Sequence, residues 1–203
     1  MQHRRPVVGV LLAAGRGTRF GGDKLRAAIP HAALDVPAGT PLGVASARRL
    51  VEALPDSIAV IRTGDSALRA MFETTGIAIV ECANADDGMG ASLACGVRAR
   101  ADANCWIVAL ADMPWIASAT IIAIATALHA GADIVAPRYR GMRGHPVGFS
   151  RRHGAALRGL TGDAGARAIV AAHASRMTLL DVDDPGTVRD VDTPHALGDR
   201  AVE

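Results

Sequence analysis

Lysine is almost missing from this chain. Of 22 basic side chains, Lys24 is the one lysine, and the rest are arginine. A bias toward arginine replaces lysine wherever a generic positive charge is enough. The lysine that survives therefore marks a position where a compact ammonium is wanted and a planar guanidinium does not substitute. The plainer reading is chance.

Other scarcities exclude whole classes of function. Three cysteines, Cys82, Cys95 and Cys105, are too far apart for a C-x-x-C metal or redox pair and too few for a disulfide framework, so buried thiols are expected. Aromatic residues make up 3% of the chain, and Trp106, Trp115 and Tyr139 build no base-stacking platform. A net charge of +2 with dispersed arginines gives no basic block for long nucleic acids. The longest apolar stretches, such as 106–111 and 121–128, fall far short of the roughly 20 residues of a membrane helix. No segment has the build of a secretory leader, and a cytoplasmic location is expected.

Half of the 203 residues are apolar, enough for one compact domain spanning 1–203. The run 7–13 reads as a buried parallel strand that empties into a glycine-rich loop. Helical spacing follows at 41–54, 65–72, 89–100 and 118–130, with Asp65 and Ser118 as caps. Strands are expected at 57–62, 77–81, 105–111 and 133–136. This alternation predicts an α/β fold, a mostly parallel sheet covered by helices on both faces. After Pro137 the rhythm changes to a Gly/Arg loop, a strand at 146–149, helices at 151–158 and 163–174, and strands at 177–182 and 188–191. A small antiparallel excursion and an acceptor region at about 138–180 are expected there.

Open sheets of this type bind ligands beyond the carboxyl ends of their strands, where both the loop 15–24 and the sequence Ala111-Asp112-Met113-Pro114 fall. The loop is neither of the two common phosphate motifs. Phe20 stands where a dinucleotide fingerprint needs its third glycine, and Asp23 stands where a P-loop needs lysine. Its small residues still let backbone N–H groups approach phosphate oxygens, while Arg16, Arg19 and Lys24 bring three cations. A plain tight turn with solvated cations is the alternative.

The run Leu12-Ala-Ala-Gly-Arg-Gly-x-Arg-Phe-Gly-x-x-Lys24 resembles the signature of the molybdenum cofactor nucleotidyltransferases, a branch of the NTP transferase superfamily with a Rossmann-like three-layer core. The resemblance implies that Leu12, Ala13, Ala14, Gly15, Arg16, Gly17, Arg19 and Lys24 hold a nucleoside triphosphate, with Arg19 and Lys24 acting on its phosphates during catalysis. Asp112 follows a buried strand directly and is suited to bind Mg²⁺ through one oxygen; Leu-Ala-Asp-Met-Pro is a second signature of the same group, which makes this aspartate the metal ligand. Arg189-Asp-Val-Asp-Thr-Pro194 resembles the motif that completes the metal site, and Asp192 is chosen over Asp190. Thr193 and Pro194 also form a good helix start, so a capping role for Asp192 stays open.

On the acceptor side, Gly144-His145-Pro146 and Thr161-Gly-Asp163-Ala-Gly-Ala-Arg167 resemble motifs for a pterin substrate. A helix starting near Asp163 would offer free N–H groups to a phosphate, with Arg167 adding charge. Ser92, in a Gly/Ser-rich helix start, is a further candidate. His145 as a loop-ordering residue and Ser92 as a helix cap are the plainer readings. The chain departs from the family at 26–39, a longer path to Gly39-Thr-Pro-Leu42, and at Gly148, where a larger apolar residue is expected.

The resemblance implies Mg²⁺-dependent transfer of CMP from CTP to molybdenum-bound molybdopterin with release of pyrophosphate, and transient contact with molybdoenzyme maturation proteins. Ala14, in place of a glycine used by guanylyl-transferring relatives, points to CTP. The alternatives are GTP, another phosphorylated acceptor such as a sugar phosphate, an NAD(P)-dependent oxidoreductase, or a non-catalytic cofactor carrier.

Overall fold

The computed structural model describes residues 6–17, 20–33 and 36–198. They form an α/β fold around one eight-stranded sheet. The strands are β1 (Val7–Leu12), β2 (Ile58–Arg62), β3 (Ala78–Cys82), β4 (Cys105–Leu110), β5 (Ile134–Tyr139), β6 (Met142–Arg143), β7 (Val147–Ser150) and β8 (Met177–Asp181). β3, β2, β1 and β4 lie side by side in parallel. β7 then runs antiparallel between β4 and β5, and β8 continues the sheet parallel to β5. Only β6 and β7 run against the common direction, so six carboxyl ends open on one edge.

Helices cover both faces because the side chains of each strand alternate. Leu11, Ile61, Ile107 and Val135 face α1 (Leu42–Ala53), α2 (Ser66–Glu73) and α4 (Ser118–His129). Val8, Val10, Val60 and Val108 face α3 (Met89–Ala99), α5 (Gly154–Arg158) and α6 (Arg167–Ala172). Two-sided burial explains why these strands read as continuous apolar runs. Gly148 has its reason here: a methyl group on it would lie 2.8 Å from Ile124 and Leu128 of α4. Among the described residues no helix is long and apolar enough to cross a membrane. All three cysteines are free thiols, Cys82 and Cys105 buried and Cys95 half-buried.

Several expectations need correction. The helix foreseen from 163 begins at Arg167, because Gly162 and Gly165 take φ of +66° and +55°, which a right-handed helix does not tolerate. Ser118 is the first helical residue and does not cap α4. That work falls to the distant, buried Asp184, whose Oδ2 accepts from the Ala117 N–H at 2.9 Å and the Thr120 hydroxyl at 2.6 Å. The strand foreseen at 188–191 is absent; a 3-10 turn at Pro185–Val188 precedes an irregular run. β6 was unforeseen. It follows β5 through Arg140 and Gly141, both at positive φ (47° and 83°), which is the two-residue turn that suits the twist of a hairpin.

Residues 26–33 and 36–39 fold back on the body. Ile29 and Val36 pack with Ala45 of α1 and with Leu197 of the final helix α7 (Pro194–Gly198). The Ile29 N–H donates to Thr40 O and the Leu42 N–H to Ala27 O, so this longer path is clasped at its base.

Removing the Asp184 carboxylate strips a buried cap of three acceptor contacts, the third being to the Gly186 N–H. Asp184→Ala is expected to lose about 2–3 kcal/mol of stability in urea denaturation. A loss under about 0.5 kcal/mol would contradict the capping role.

Candidate metal and phosphate site

The site assembles where β1, β4 and the run after β8 end together. The Ala13 N–H donates to Val60 O and the Ala111 N–H to Leu12 O, carrying the parallel ladder into both loops before they diverge. Asp112 then sits one residue past the last ladder bond. Ser46 of α1 donates its hydroxyl to Ala111 O at 2.8 Å, which fixes the exit of β4 against the helix.

Asp190 and Asp192 arrive by alternation. The Val191 side chain is fully buried against Leu42 and Trp115, and its N–H donates to Asp112 O at 3.0 Å. In an extended run the neighbours of an inward residue turn to the other side, so both carboxylates face Asp112. Asp112, Asp190 and Asp192 each offer an oxygen within 4.8 Å of the others. Asp190, passed over in favour of Asp192 on the sequence, is thus part of the cluster. The Asp-Val-Asp alternation around a buried valine was the signal.

Lys24 stands among them. Its Nζ donates to Asp112 Oδ2 at 2.7 Å and reaches Asp192 Oδ1 at 3.5 Å, with 13% of the side chain exposed. The loop is folded to present it. Gly17 takes φ of +59°, and a methyl there would lie 2.6 Å from Gly22 O and 3.2 Å from Lys24 Cβ. Phe20 and Leu25, on either side of the lysine, pack on the cluster of Leu42, Trp115 and Val191. The Trp115 ring also carries the Arg189 guanidinium at 3.8 Å, a cation–π contact beside Asp190.

The remaining loop residues are placed as follows. Leu12 is half-buried, Ala13 and Ala14 are buried, and Gly15 and Arg16 are exposed. Ala14 O accepts from Arg62 Nη2 at 2.7 Å. Arg16 pairs with Asp86 at 2.7 Å, and Arg62 approaches the same carboxylate at 3.2 Å. The hydrogen bond from Arg16 holds the Asp86 carboxyl below its usual range. Arg62 and Asp86 were not foreseen; one ends β2 and the other lies in the 3-10 turn Ala85–Asp87, and sequence spacing alone connects neither to the loop. Arg19 lies outside the described residues.

The acceptor candidates do not gather at one point. His145 lies in the field of Asp112 and Asp190 and is held by a bond from its N–H to Thr187 O at 2.8 Å. Its Nδ1 is buried and finds no partner among the described residues. Ser92 is buried, with its hydroxyl donating to Gly88 O, the contact of a helix-end serine. Asp163 is exposed and packs against Gly88, while the Gly90 N–H donates to Gly162 O. Arg167 stands with Arg143 at a cleft floored by Val170, Met177 and Leu179.

A glycine-rich loop, a strand-end aspartate and a lysine thus converge on one sheet edge, and comparison with known proteins decides the family. The profile described as MobA-like NTP transferase domain matches residues 9–177. The chain belongs to this family. A relative of this MobA-like protein, nicotine blue oxidoreductase of Paenarthrobacter nicotinovorans, is 30% identical over 195 residues, 92% of each chain. Rv0371c of Mycobacterium tuberculosis H37Rv superposes with a TM-score of 0.74 at 27% identity, covering 95% of this chain and 96% of that one. The same protein has also been solved in complex with manganese, with a TM-score of 0.70, 27% identity and coverage of 94% and 95%. A nucleotidyl transferase from Methanothermobacter shares the fold at a TM-score of 0.73 and 19% identity, covering 94% of each chain.

Burial, reinforced by Arg143, pushes the His145 imidazole below its ordinary value of 6.5 against the opposing pull of Asp112 and Asp190. A depressed histidine favours the neutral form in the folded state, so its contribution to stability is present above the ordinary range and is lost as pH falls through it. NMR titration of the His145 ring is expected to give a midpoint below 6.5, and a midpoint at or above that value would refute the assignment.

Proposed function

We propose that this MobA-like protein transfers CMP from CTP to molybdenum-bound molybdopterin, with a divalent cation, Mg²⁺, held by Asp112 and Asp192. The observation that carries the reading is the Lys24 ammonium lodged between Asp112 and Asp192, at the end of a loop built from small residues. Carboxylate oxygens are the hard donors that Mg²⁺ and Mn²⁺ take. Two of them meeting one ammonium, with an oxygen of Asp190 within 4.8 Å of theirs, fit the requirement, and Asp190 joins the donor set. Rv0371c having been solved in complex with manganese is in keeping with a divalent cation in this family. When bound, the cation neutralises phosphate charge and orients the triphosphate.

The rest follows from side chains and main chain. The amides of 13–17 receive phosphate oxygens, and Arg19 and Lys24 offset their charge. An oxygen of the acceptor's terminal phosphate attacks the α-phosphorus in line. The bond to the β-phosphate breaks, and pyrophosphate leaves with the electron pair. Lys24 follows the charge that builds on the α-phosphate, and no covalent enzyme intermediate is required. Buried Ala14, whose carbonyl is tied to Arg62, restricts the base pocket in favour of cytosine. His145, Asp163, Arg167 and Ser92 serve the acceptor end. The product passes to molybdoenzyme maturation proteins in the cytoplasm.

A second reading has its own support. The curated relative is named an oxidoreductase, and a cradle for a triphosphate also suits the pyrophosphate of a nicotinamide dinucleotide.

Pyrophosphate release with each of the four NTPs and molybdenum cofactor is expected only with CTP. Asp112→Ala should reduce it by about 10²-fold or more, and Lys24→Arg by a similar factor. Preference for GTP would overturn the base assignment. Oxidation of NADH or NADPH with no pyrophosphate released would move the protein to the redox reading.

A further inference from the structure

Three carboxylates with oxygens within 4.8 Å of one another repel strongly, and something must hold them together before any ligand arrives. Lys24 takes part in that role, 2.7 Å from Asp112 and 3.5 Å from Asp192. Its Nζ takes the carboxylate oxygens that a divalent cation would take. An ammonium and a divalent ion cannot share these oxygens at contact distance without severe repulsion.

We infer that Lys24 is the resident cation of the Asp112–Asp192 pair, and that it yields this place only when triphosphate oxygens draw it away, so that metal enters with the nucleotide and not before it. The inference rests on the nucleotidyltransferase reading and adds an order of loading to it. The loop geometry allows the exchange. The backbone of Lys24 is fixed by its bond to Gly22 O and by the anchored Phe20 and Leu25, but its four-carbon stem is free to swing the ammonium between two anionic partners. An arginine would bridge the two aspartates with a planar fork and release them poorly. The exchange thus gives a reason for the one lysine in an arginine-rich chain. A cation that waits in the site keeps the carboxylates charged and close, and it keeps adventitious metal out of an unloaded enzyme.

The lone lysine also makes the test clean, because protein labelled with ¹⁵N-lysine gives one Nζ resonance. Millimolar Mg²⁺ alone is expected to leave that resonance in place, whereas Mg²⁺ with a non-hydrolysable CTP analogue shifts it. In parallel, Mn²⁺ binding is followed by electron paramagnetic resonance on nucleotide-free protein. Lys24→Met and Lys24→Gln should each bind Mn²⁺ at least about ten-fold more tightly than wild type, with circular dichroism verifying the fold. A shift produced by Mg²⁺ alone, or wild-type Mn²⁺ affinity equal to that of the lysine variants, overturns the inference. If that affinity is also lost in Asp112→Asn, the metal site itself survives. If no protein binds Mn²⁺ with or without the analogue, the nucleotidyltransferase reading falls together with the inference.

Discussion

The ion pair between Lys24 and Asp112 joins residues 88 apart in sequence, and its extension to Asp192 spans 168. No local propensity brings these groups together. Parallel strands deliver the first two to neighbouring loops, and a single backbone bond from Val191 to Asp112 delivers the third. The ammonium offsets the repulsion of anions pressed together at a sheet edge, so one half-buried charge links three loops. The apolar cluster of Leu42, Trp115 and Val191, with Phe20 and Leu25 against it, supplies the rigidity the ion pair lacks. Such division of labour is common where a site must be both stiff and anionic.

The frame of the protein was legible because strand and helix periods are written in local sequence. β1, β2, β4 and α1 to α4 fall within a few residues of their expected bounds, and Asp65 caps α2 as its position suggests. What could not be read depends on partners remote in the chain. Ser118 looked like a cap because it precedes an apolar helix, yet Asp184 supplies that acceptor from 67 residues away. The helix from 163 was misjudged because its glycines adopt positive φ in the folded chain, which composition alone does not announce. Gly148 departs from the family pattern because α4 packs directly over it.

The site was legible in part for the same reason. Asp112 and Lys24 occupy positions set by a strand end and a distinctive loop, and the structure brings them into contact. Asp190 was undervalued since choosing one of two aspartates treated them as rivals, whereas a buried valine between them turns both the same way. Arg16 was read as a free phosphate cation and is found paired with Asp86. The acceptor residues were taken as one group, but Ser92 and Asp163 both lie at Gly88, whereas Arg167 stands at the cleft with Arg143 and His145 beside Asp112 and Asp190. A fold alone does not fix a reaction, and a relative 30% identical to this chain bears the name of an oxidoreductase.

The clasp made by Leu197 against Ile29, Val36 and Ala45 has a temporal meaning. Ribosomal synthesis delivers the lysine loop early, Asp112 midway and the Asp190–Asp192 run only after β8. The packing of Leu197 on Ile29, Val36 and Ala45 therefore joins parts of the chain that leave the ribosome far apart in time.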